Sequence, residues 1–309
     1  MAPFDRTSRT AAVLAGAPHD GRYAEGVGLV LLAMLLWSMS GILIRSIESA
    51  TAWQLVFYRS LVMAVSLLAI VALAHRGRLV RAFRAAGLLG MLGGLCFAAS
   101  SICYLFSVTN TTVANTSFLY ATTPLFAAIL GWLAMRERVR ATTWLAMAVA
   151  VGGIGLMVAE GIEAGRWLGN VFGLLSAVIF AGQMVIMRIG RRVDMMPSMC
   201  LGGGLAALAG LVLAQDVAVT PHDLALCLVM GSVQLAAPLA LFTLGSRRVP
   251  VVQLSLLSLL DAVFNPLWAW LGVGEVPGHL TLLGGAIVLV AIAGDAVSSA
   301  RRALPARVG

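Results

Sequence analysis

One apolar stretch limits the possible folds more than any other part of the sequence. It runs from Val113 to Val139 and reads VANTSFLYATTPLFAAILGWLAMRERV. Its apolar part has about 20 residues, the length that crosses the hydrocarbon core of a bilayer as a helix. A related stretch returns at Val251–Val276. Aligned without gaps, the two stretches are identical at Val113/Val251, Ser117/Ser255, Phe126/Phe264, Trp132/Trp270, Leu133/Leu271 and Glu137/Glu275. The sequence therefore predicts a membrane protein with an internal repeat.

Polar residues recur every third position in both stretches. They are Ser117, Tyr120 and Thr123 in the first stretch, and Ser255, Ser258 and Asp261 in the second. Residues three apart share one face of a helix. Hydroxyl and carboxyl groups are unfavourable on a helix face turned toward lipid, so we expect both stripes to line a water-accessible space.

Composition supports the membrane class, because 60% of the residues are hydrophobic and only 11% are charged. Soluble domains are nearer a quarter charged. The net charge of +8 would suggest a nucleic-acid partner in a soluble protein, but here the arginines lie in loops between apolar runs. The cysteines lie in or beside apolar spans without metal-ligand spacing; they are Cys96, Cys103, Cys200 and Cys227. We therefore expect no nucleic acid, no metal and no cofactor.

Hydropathy predicts an all-α integral membrane protein with ten transmembrane helices. The predicted spans are Gly26–Ile47, Trp53–Ala74, Gly87–Val108, Val113–Met135, Trp144–Val158, Gly169–Ile189, Pro197–Ala214, Asp223–Thr243, Val251–Leu271 and Leu280–Asp295. The fifth and the tenth are predicted to be the shortest.

The positions of the arginines predict the orientation. All arginines except Arg45, Arg59 and Arg166 fall in the two tails or beside the loops that follow even-numbered spans. Cytoplasmic loops carry the excess of positive charge. We therefore predict that both termini are cytoplasmic and that the protein lies in the plasma membrane, the inner membrane of a bacterium.

Five spans in each half is an odd number, so the two halves are expected to cross the membrane in opposite directions. The starts of the halves agree with this, since Arg45 aligns with Arg188 and Trp37 with Phe180. Two inverted five-helix repeats around a shared central site are typical of secondary transporters. We divide the chain into a tail (1–25), a first repeat (26–158), a second repeat (169–297) and a second tail (298–309).

Several local features follow one another in order along residues 26–297. They are Trp37-Ser38 in the first span, Arg59 of FYRSLVMA in the second, Pro124 and Glu137 in and after the fourth, Gly274-Glu275 after the ninth, and glycine-rich fifth and tenth spans (Gly152, Gly153, Gly155; Gly284, Gly285). This order resembles the drug/metabolite transporter superfamily, and within it the EamA-like transporters. Where many relatives carry Glu-Pro in the ninth helix, this chain has Asp261-Ala262 and places its proline at Pro266, which moves the expected kink toward the outer side.

The resemblance implies a cavity lined by the first, third, fourth, sixth, eighth and ninth helices, reached from each side of the membrane in turn. We expect a secondary transporter, not an enzyme, that exports an amino acid or related metabolite and is driven by protons. The alternatives are an importer of a vitamin- or nucleoside-like metabolite and a membrane sensor or scaffold without transport. Both a monomer and a homodimer are compatible with the sequence.

Asp261 is the sharpest site candidate, since an aspartate at the centre of a span costs about 2.5–3.5 kcal/mol on insertion scales. It is either a proton-coupling carboxylate, the partner of a substrate amine, or a structural partner of Arg59 or of hydroxyls. Arg59 is shallow enough to extend toward the surface. It either binds a substrate carboxylate or pairs with Asp261 or Glu48.

The remaining candidates are polar or aromatic side chains within spans. Trp37 either forms the floor of an organic-substrate site or packs against the other half. Gln183 aligns with Ser40 across the repeat, and it and Gln234 either line the cavity or form interhelical hydrogen bonds. The other cavity candidates are Ser40, Tyr104, Asn115, Tyr120, Thr123, Ser258 and Asn265.

Prolines and glycines mark candidate hinges and close contacts. Pro124, Pro238 and Pro266 free carbonyl groups within helices, and each is either a hinge for alternating access or a static kink. The glycines of the fifth and tenth spans allow close helix packing. We expect that packing to be intramolecular, with dimerisation as the alternative.

Overall fold

The computed structural model describes residues 21–74, 76–136, 139, 141–190 and 196–303, and every regular element among them is helical. In chain order the helices are α1 (Gly21–Ser38), α2 (Ser40–Arg45), α3 (Ala52–Ala74), α4 (Leu79–Asn110), α5 (Val113–Ala121), α6 (Thr123–Met135), α7 (Ala141–Glu163), α8 (Trp167–Ile189), α9 (Met196–Leu213), α10 (Pro221–Val229), a π-helical segment (Met230–Ala236), α11 (Ala237–Ser246), α12 (Val251–Val273) and α13 (His279–Ala303).

These helices form ten segments that are long and apolar enough to cross a membrane, which confirms the predicted fold class. Three spans are composite: span 1 is α1 with α2, span 4 is α5 with α6, and span 8 is α10, the π-helical segment and α11. Spans 2, 3, 5, 6, 7, 9 and 10 are α3, α4, α7, α8, α9, α12 and α13.

Two boundary predictions need correction. Span 3 was expected to begin at Gly87, but the helix extends back to Leu79 and kinks at Gly87, whose φ of 55° favours glycine. Span 10 is not among the shortest, because α13 has 25 residues, and neither is span 5, because α7 has 23 residues. Its polar ends, up to Glu163, continue the helix beyond the apolar run that hydropathy detects. Span 7, with 18 residues, is shorter.

The packing of the spans follows the inverted repeat. Span 2 packs against span 7, span 5 against span 10, and span 4 against span 9. Span 3 packs against span 6, and its counterpart, span 8, packs against span 1. Each of these pairs joins one half to the other. If every span is replaced by its counterpart in the other half, the same five pairs result. The two halves therefore interlock rather than forming separate bundles.

Successive spans are antiparallel, so odd-numbered spans end where even-numbered spans begin. We call this side of the bundle the Glu275 end, after the residue that follows span 9. Glu137, the residue that matches Glu275 in the sequence repeat, lies outside the described residues, as does the side chain of Ser255. All comparisons between the two ends below use described residues only.

The glycines of spans 5 and 10 bring these helices together within one chain. A Cβ atom at Gly153 would lie 2.6 Å from the Gly284 carbonyl oxygen, and one at Gly285 would overlap the Phe118 ring. Gly152 and Gly155 have open space where a Cβ would point. The intramolecular packing expected from the sequence therefore holds for Gly153, Gly284 and Gly285.

Replacing Gly153 by leucine is expected to destabilise the fold by about 2–3 kcal/mol, because backbone rather than a flexible side chain occupies the space. Thermal unfolding in detergent measures the effect. The matched control is Gly155→Leu, two residues along the same helix, which meets open space. Equal loss in both variants would contradict close packing at Gly153.

Candidate functional site

The centre of the bundle contains a hydrogen-bonded polar cluster that joins spans 1, 3 and 9. The Ser40 hydroxyl lies 2.8 Å from the Tyr104 hydroxyl. Asn265 Nδ2 donates to both, at 3.0 and 2.9 Å. Asn265 Oδ1 accepts from the Gly41 backbone N–H at 2.8 Å. Ser40, Tyr104 and Asn265, predicted separately as cavity candidates, are therefore one unit.

Asp261 lies one helical turn from Asn265 on span 9 and is half-buried. Its Oδ1 atom is shielded from solvent and has no hydrogen-bond partner within the described structure. The phenol groups of Tyr104 and Tyr120 are close enough to interact with it electrostatically. A carboxylate oxygen left without a protein partner in a low-dielectric setting is costly unless it binds a proton or a cationic group.

Arg59 is buried, with 2% of its surface exposed, and does not extend toward the membrane surface. Its Nη2 atom donates to the Ser101 hydroxyl at 2.8 Å and to the Ser101 carbonyl at 3.2 Å, while Nε has no hydrogen-bond partner in the part of the chain that the structure describes. Among the described residues, no carboxylate lies within ion-pair distance of it. The ion pairs with Asp261 or Glu48 that the sequence suggested do not form, because Ser101 holds the guanidinium against span 3.

Aromatic rings surround the polar cluster. Tyr104 and Tyr120 meet edge to face with centroids 5.4 Å apart, and Tyr120 and Phe180 lie 5.3 Å apart. Trp37 packs against Phe242 of the second half at 5.7 Å. Of the two roles that the sequence left open for Trp37, the structure records this packing contact between the halves.

Gln234 reaches the same region from span 8. Its Nε2 atom donates to the backbone carbonyl of Trp37 at 3.2 Å, and its Oε1 atom has no partner among the described residues. The side chain starts from the π-helical segment, which ends with Ala237 N–H donating to the Ser232 carbonyl. The next residue, Pro238, has no N–H to donate, and a widened turn is one way to accommodate it.

Other sequence candidates lie apart from the cluster. Gln183 is fully buried and donates to the Met199 thioether sulfur at 2.9 Å, so it faces span 7 rather than Ser40. Asn115 contacts Asn170 and Thr111 at the Glu275 end. The Thr123 hydroxyl donates to its own helix, at the Tyr120 carbonyl. Ser258 is exposed, one turn from Asp261 on the side away from the Glu275 end.

The three predicted hinge prolines occupy different settings. Pro124 lies just after the break between α5 and α6, at Thr122. Pro238 follows the π-helical segment, and Pro266 lies inside the continuous helix α12. The break in span 1, at Met39, has no proline.

Sequence reasoning missed an ionic contact at the Glu275 end and a tryptophan contact beside the cluster. Arg45 Nε pairs with Glu275 Oε2 at 2.7 Å, and Glu275 Oε1 accepts from the Val113 N–H at the start of span 4. Trp268 Nε1 donates to the Ser38 hydroxyl at 3.0 Å. The alignment of Arg45 with Arg188 in the repeat was a signal that Arg45 has a specific contact. The sequence alone did not show that Glu275 is the partner of Arg45.

Burial falls along span 4 with distance from the Glu275 end, and along span 9 from Ala269 to Ser258, although residues 270–273 at the end of span 9 are exposed. In span 4, every residue from Val113 to Leu119 is buried, whereas few residues of α6 are. Asn265 and Ala269 of span 9 are buried, whereas Ser258 is exposed. The site at Asp261 is thus sealed toward the Glu275 end and less enclosed toward the other end.

Within the described residues, no group of His, Cys, Asp and Glu could hold a metal ion.

Comparison with known proteins agrees with this architecture. The model of the EamA-like transporter family matches residues 24–159 and again 167–294. The pseudopaline exporters CntI of two strains of Pseudomonas aeruginosa are each 29% identical over 275 residues, covering 86% of this chain and 94% of the relative. A crystal structure covering 90% of this chain and 99% of its own superimposes with a TM-score of 0.65 at 18% identity, which supports the fold alone. The chain belongs to the EamA-like transporter family.

Proposed function

We propose that the protein is a secondary active transporter that exports a small organic solute, an amino acid or a related metabolite, by proton-coupled alternating access. The observation that carries the proposal is Asp261, a carboxylate at the centre of span 9 whose Oδ1 has no partner within the described structure. Ionisable groups inside membrane spans typically mark ion and substrate pathways. The similarity to proteins named as exporters supports the direction of transport.

Two charges of opposite sign support an amino acid or similar zwitterion as the solute. Asp261 provides a negative pole and Arg59 a positive pole, and neither has an ionic partner among the described residues. The phenol of Tyr104 lies within electrostatic range of both. A solute with ammonium and carboxylate groups would supply the counter-charges that these two side chains lack.

The proposed orientation places both termini in the cytoplasm of a bacterium, with the protein in the inner membrane. The arginine distribution supports it, because Arg76, Arg78, Arg81 and Arg84 cluster at the end opposite Glu275. The Glu275 end is then the outer side. With that orientation, the structure corresponds to a state closed toward the outside. The two matched segments correspond to the repeats at 26–158 and 169–297, with tails at either end.

Counterflow in proteoliposomes tests the proposal. Vesicles loaded with one unlabelled amino acid should take up the same labelled solute, and an imposed proton gradient should increase the flux. A panel of amino acids and related metabolites identifies the solute, and protein-free vesicles give the baseline. Folded, correctly inserted protein that exchanges no member of the panel would contradict the proposed substrate class.

A further inference from the structure

The break in span 1 interrupts the backbone hydrogen bonding of the helix, and two side chains of the second half replace one of the lost bonds. In a continuous α-helix, the Gly41 N–H would donate to the Trp37 carbonyl. Here the Gly41 N–H donates to Asn265 Oδ1 at 2.8 Å, and the Trp37 carbonyl accepts from Gln234 Nε2 at 3.2 Å. Spans 8 and 9 therefore satisfy both halves of the missing bond.

The short helix α2, beyond the break, is fastened to span 9 at both ends. Near its start, Asn265 binds the Gly41 N–H and the Ser40 hydroxyl. At its other end, Arg45 pairs with Glu275. Between these points, a Cβ atom at Gly272 would overlap the Ile42 side chain. By these contacts α2 belongs to span 9 more than to α1.

The described residues of the second half do not repeat this arrangement. Span 6, the counterpart of span 1, is a continuous helix across Phe180 and Met184, which match Trp37 and Gly41. The position that matches Asn265 in the repeat is Ala127, which has no amide. The broken helix is thus a property of the Glu275 end and not of the repeat in general.

We infer that α2 is the gate at the Glu275 end, and that Gln234 and Asn265 are positioning residues that hold it closed. This inference rests on the alternating access of the proposed function. As α2 and span 9 separate during opening, the Gly41 N–H and the Trp37 carbonyl bind each other and span 1 becomes continuous. Both arrangements satisfy the same two backbone groups, the Gly41 N–H and the Trp37 carbonyl, as expected of an element with two alternative states.

The test measures access to the two ends of the site in nanodiscs, with no solute present. Single cysteines replace Ile44, which is buried on α2, or Ser258, which is exposed on the opposite side of Asp261. Each is labelled with a bulky polar maleimide, and the otherwise identical protein without the added cysteine gives the background. Gln234→Met and Asn265→Leu remove the amides with little change in volume.

Loss of either amide is expected to increase labelling at residue 44 by about tenfold, since one buried backbone group is left unpaired in the closed state. Labelling at residue 258 is expected to fall, because the two ends open in turn. Asn115→Leu, which removes another buried amide at the Glu275 end, should change neither rate. A rise at both positions would indicate general loosening and would overturn the inference, as would unchanged rates.

The outcomes separate this inference from the proposed function. Opposite changes at residues 44 and 258 support the gate even if no solute in the panel is transported. If counterflow proceeds normally and labelling is unchanged in folded Gln234→Met and Asn265→Leu, the inference that α2 is a gate is contradicted and the proposed transport function is retained.

Discussion

Asp261→Asn is expected to lose the proton-driven part of transport, by at least about tenfold, while counterflow of the solute continues. Asparagine has the same size and shape as aspartate but takes up no proton at neutral pH. The Oδ1 atom of Asp261 has no hydrogen-bond partner within the described structure that the substitution would break. Flux with and without an imposed proton gradient, in the same proteoliposomes, measures the two components separately.

Asp295→Asn provides the matched control for this experiment. Asp295 is also a half-buried carboxylate within a span, but its Oδ1 accepts a hydrogen bond from the Thr143 hydroxyl at 2.8 Å. We expect Asp295→Asn to keep the response to the gradient. If Asp261→Asn also keeps that response, the carboxylate does not couple protons and its role is structural.

Asp223→Ala is expected to lower the free energy of unfolding by about 2–4 kcal/mol, because it removes hydrogen bonds to a charged acceptor and leaves their donors unpaired. The Asp223 side chain is fully buried and accepts hydrogen bonds from the backbone N–H groups of Glu48, Ser49 and Ala50 at 2.9–3.0 Å. It also accepts from the Ser49 hydroxyl at 2.8 Å. Alanine would leave these donors without their acceptor, in the loop that leads into span 2.

Thermal unfolding in detergent measures this loss. Asp223→Asn should lose less, because one amide oxygen still accepts. Asp216→Ala is the control at the same end of the bundle, since Asp216 is exposed and, among the described residues, its carboxylate accepts only from the Ala218 N–H. We expect it to change stability by less than about 1 kcal/mol. Similar losses of stability for Asp216→Ala and Asp223→Ala would show that the hydrogen bonds to the buried Asp223 carboxylate do not stabilise the fold.

The sequence was sufficient for the spans and for their inverted arrangement, because apolar length and an odd number of crossings determine both. It also identified the members of the central cluster, since Ser40, Tyr104 and Asn265 are polar residues in places where lipid tolerates none. Gln183 shows the limit of this reasoning. Its alignment with Ser40 gave its depth in the membrane, but the direction of its side chain depends on how span 6 is rotated against span 7.

The break in span 1 was not predicted from the local sequence, in which the pair Ser40-Gly41 is the signal for a kink. Met39 is a good helix former, and no proline lies nearby. The break is stabilised by Gln234 and Asn265, which are distant in sequence and become neighbours only when the two halves interlock. Pro266, by contrast, marked an expected kink but lies in a continuous helix. The prolines therefore did not locate the interruption that matters most for the site.

The π-helical segment of span 8 has a consequence for chain length as well as for geometry. A π-helical turn holds about one residue more than an α-helical turn, and each α-helical residue advances the side chain direction by about 100°. The π-helical segment absorbs its extra residue locally, so removing a single residue from Met230–Ala236 would give a regular α-helix and leave the facing of α10 relative to α11 nearly unchanged. The contact of Gly245 with Gly26 would be kept, whereas the side chains within the segment would change direction, Gln234 and its hydrogen bond to the Trp37 carbonyl among them. The position of the Gln234 amide thus depends on the number of residues in span 8, which no comparison of residue types alone would detect.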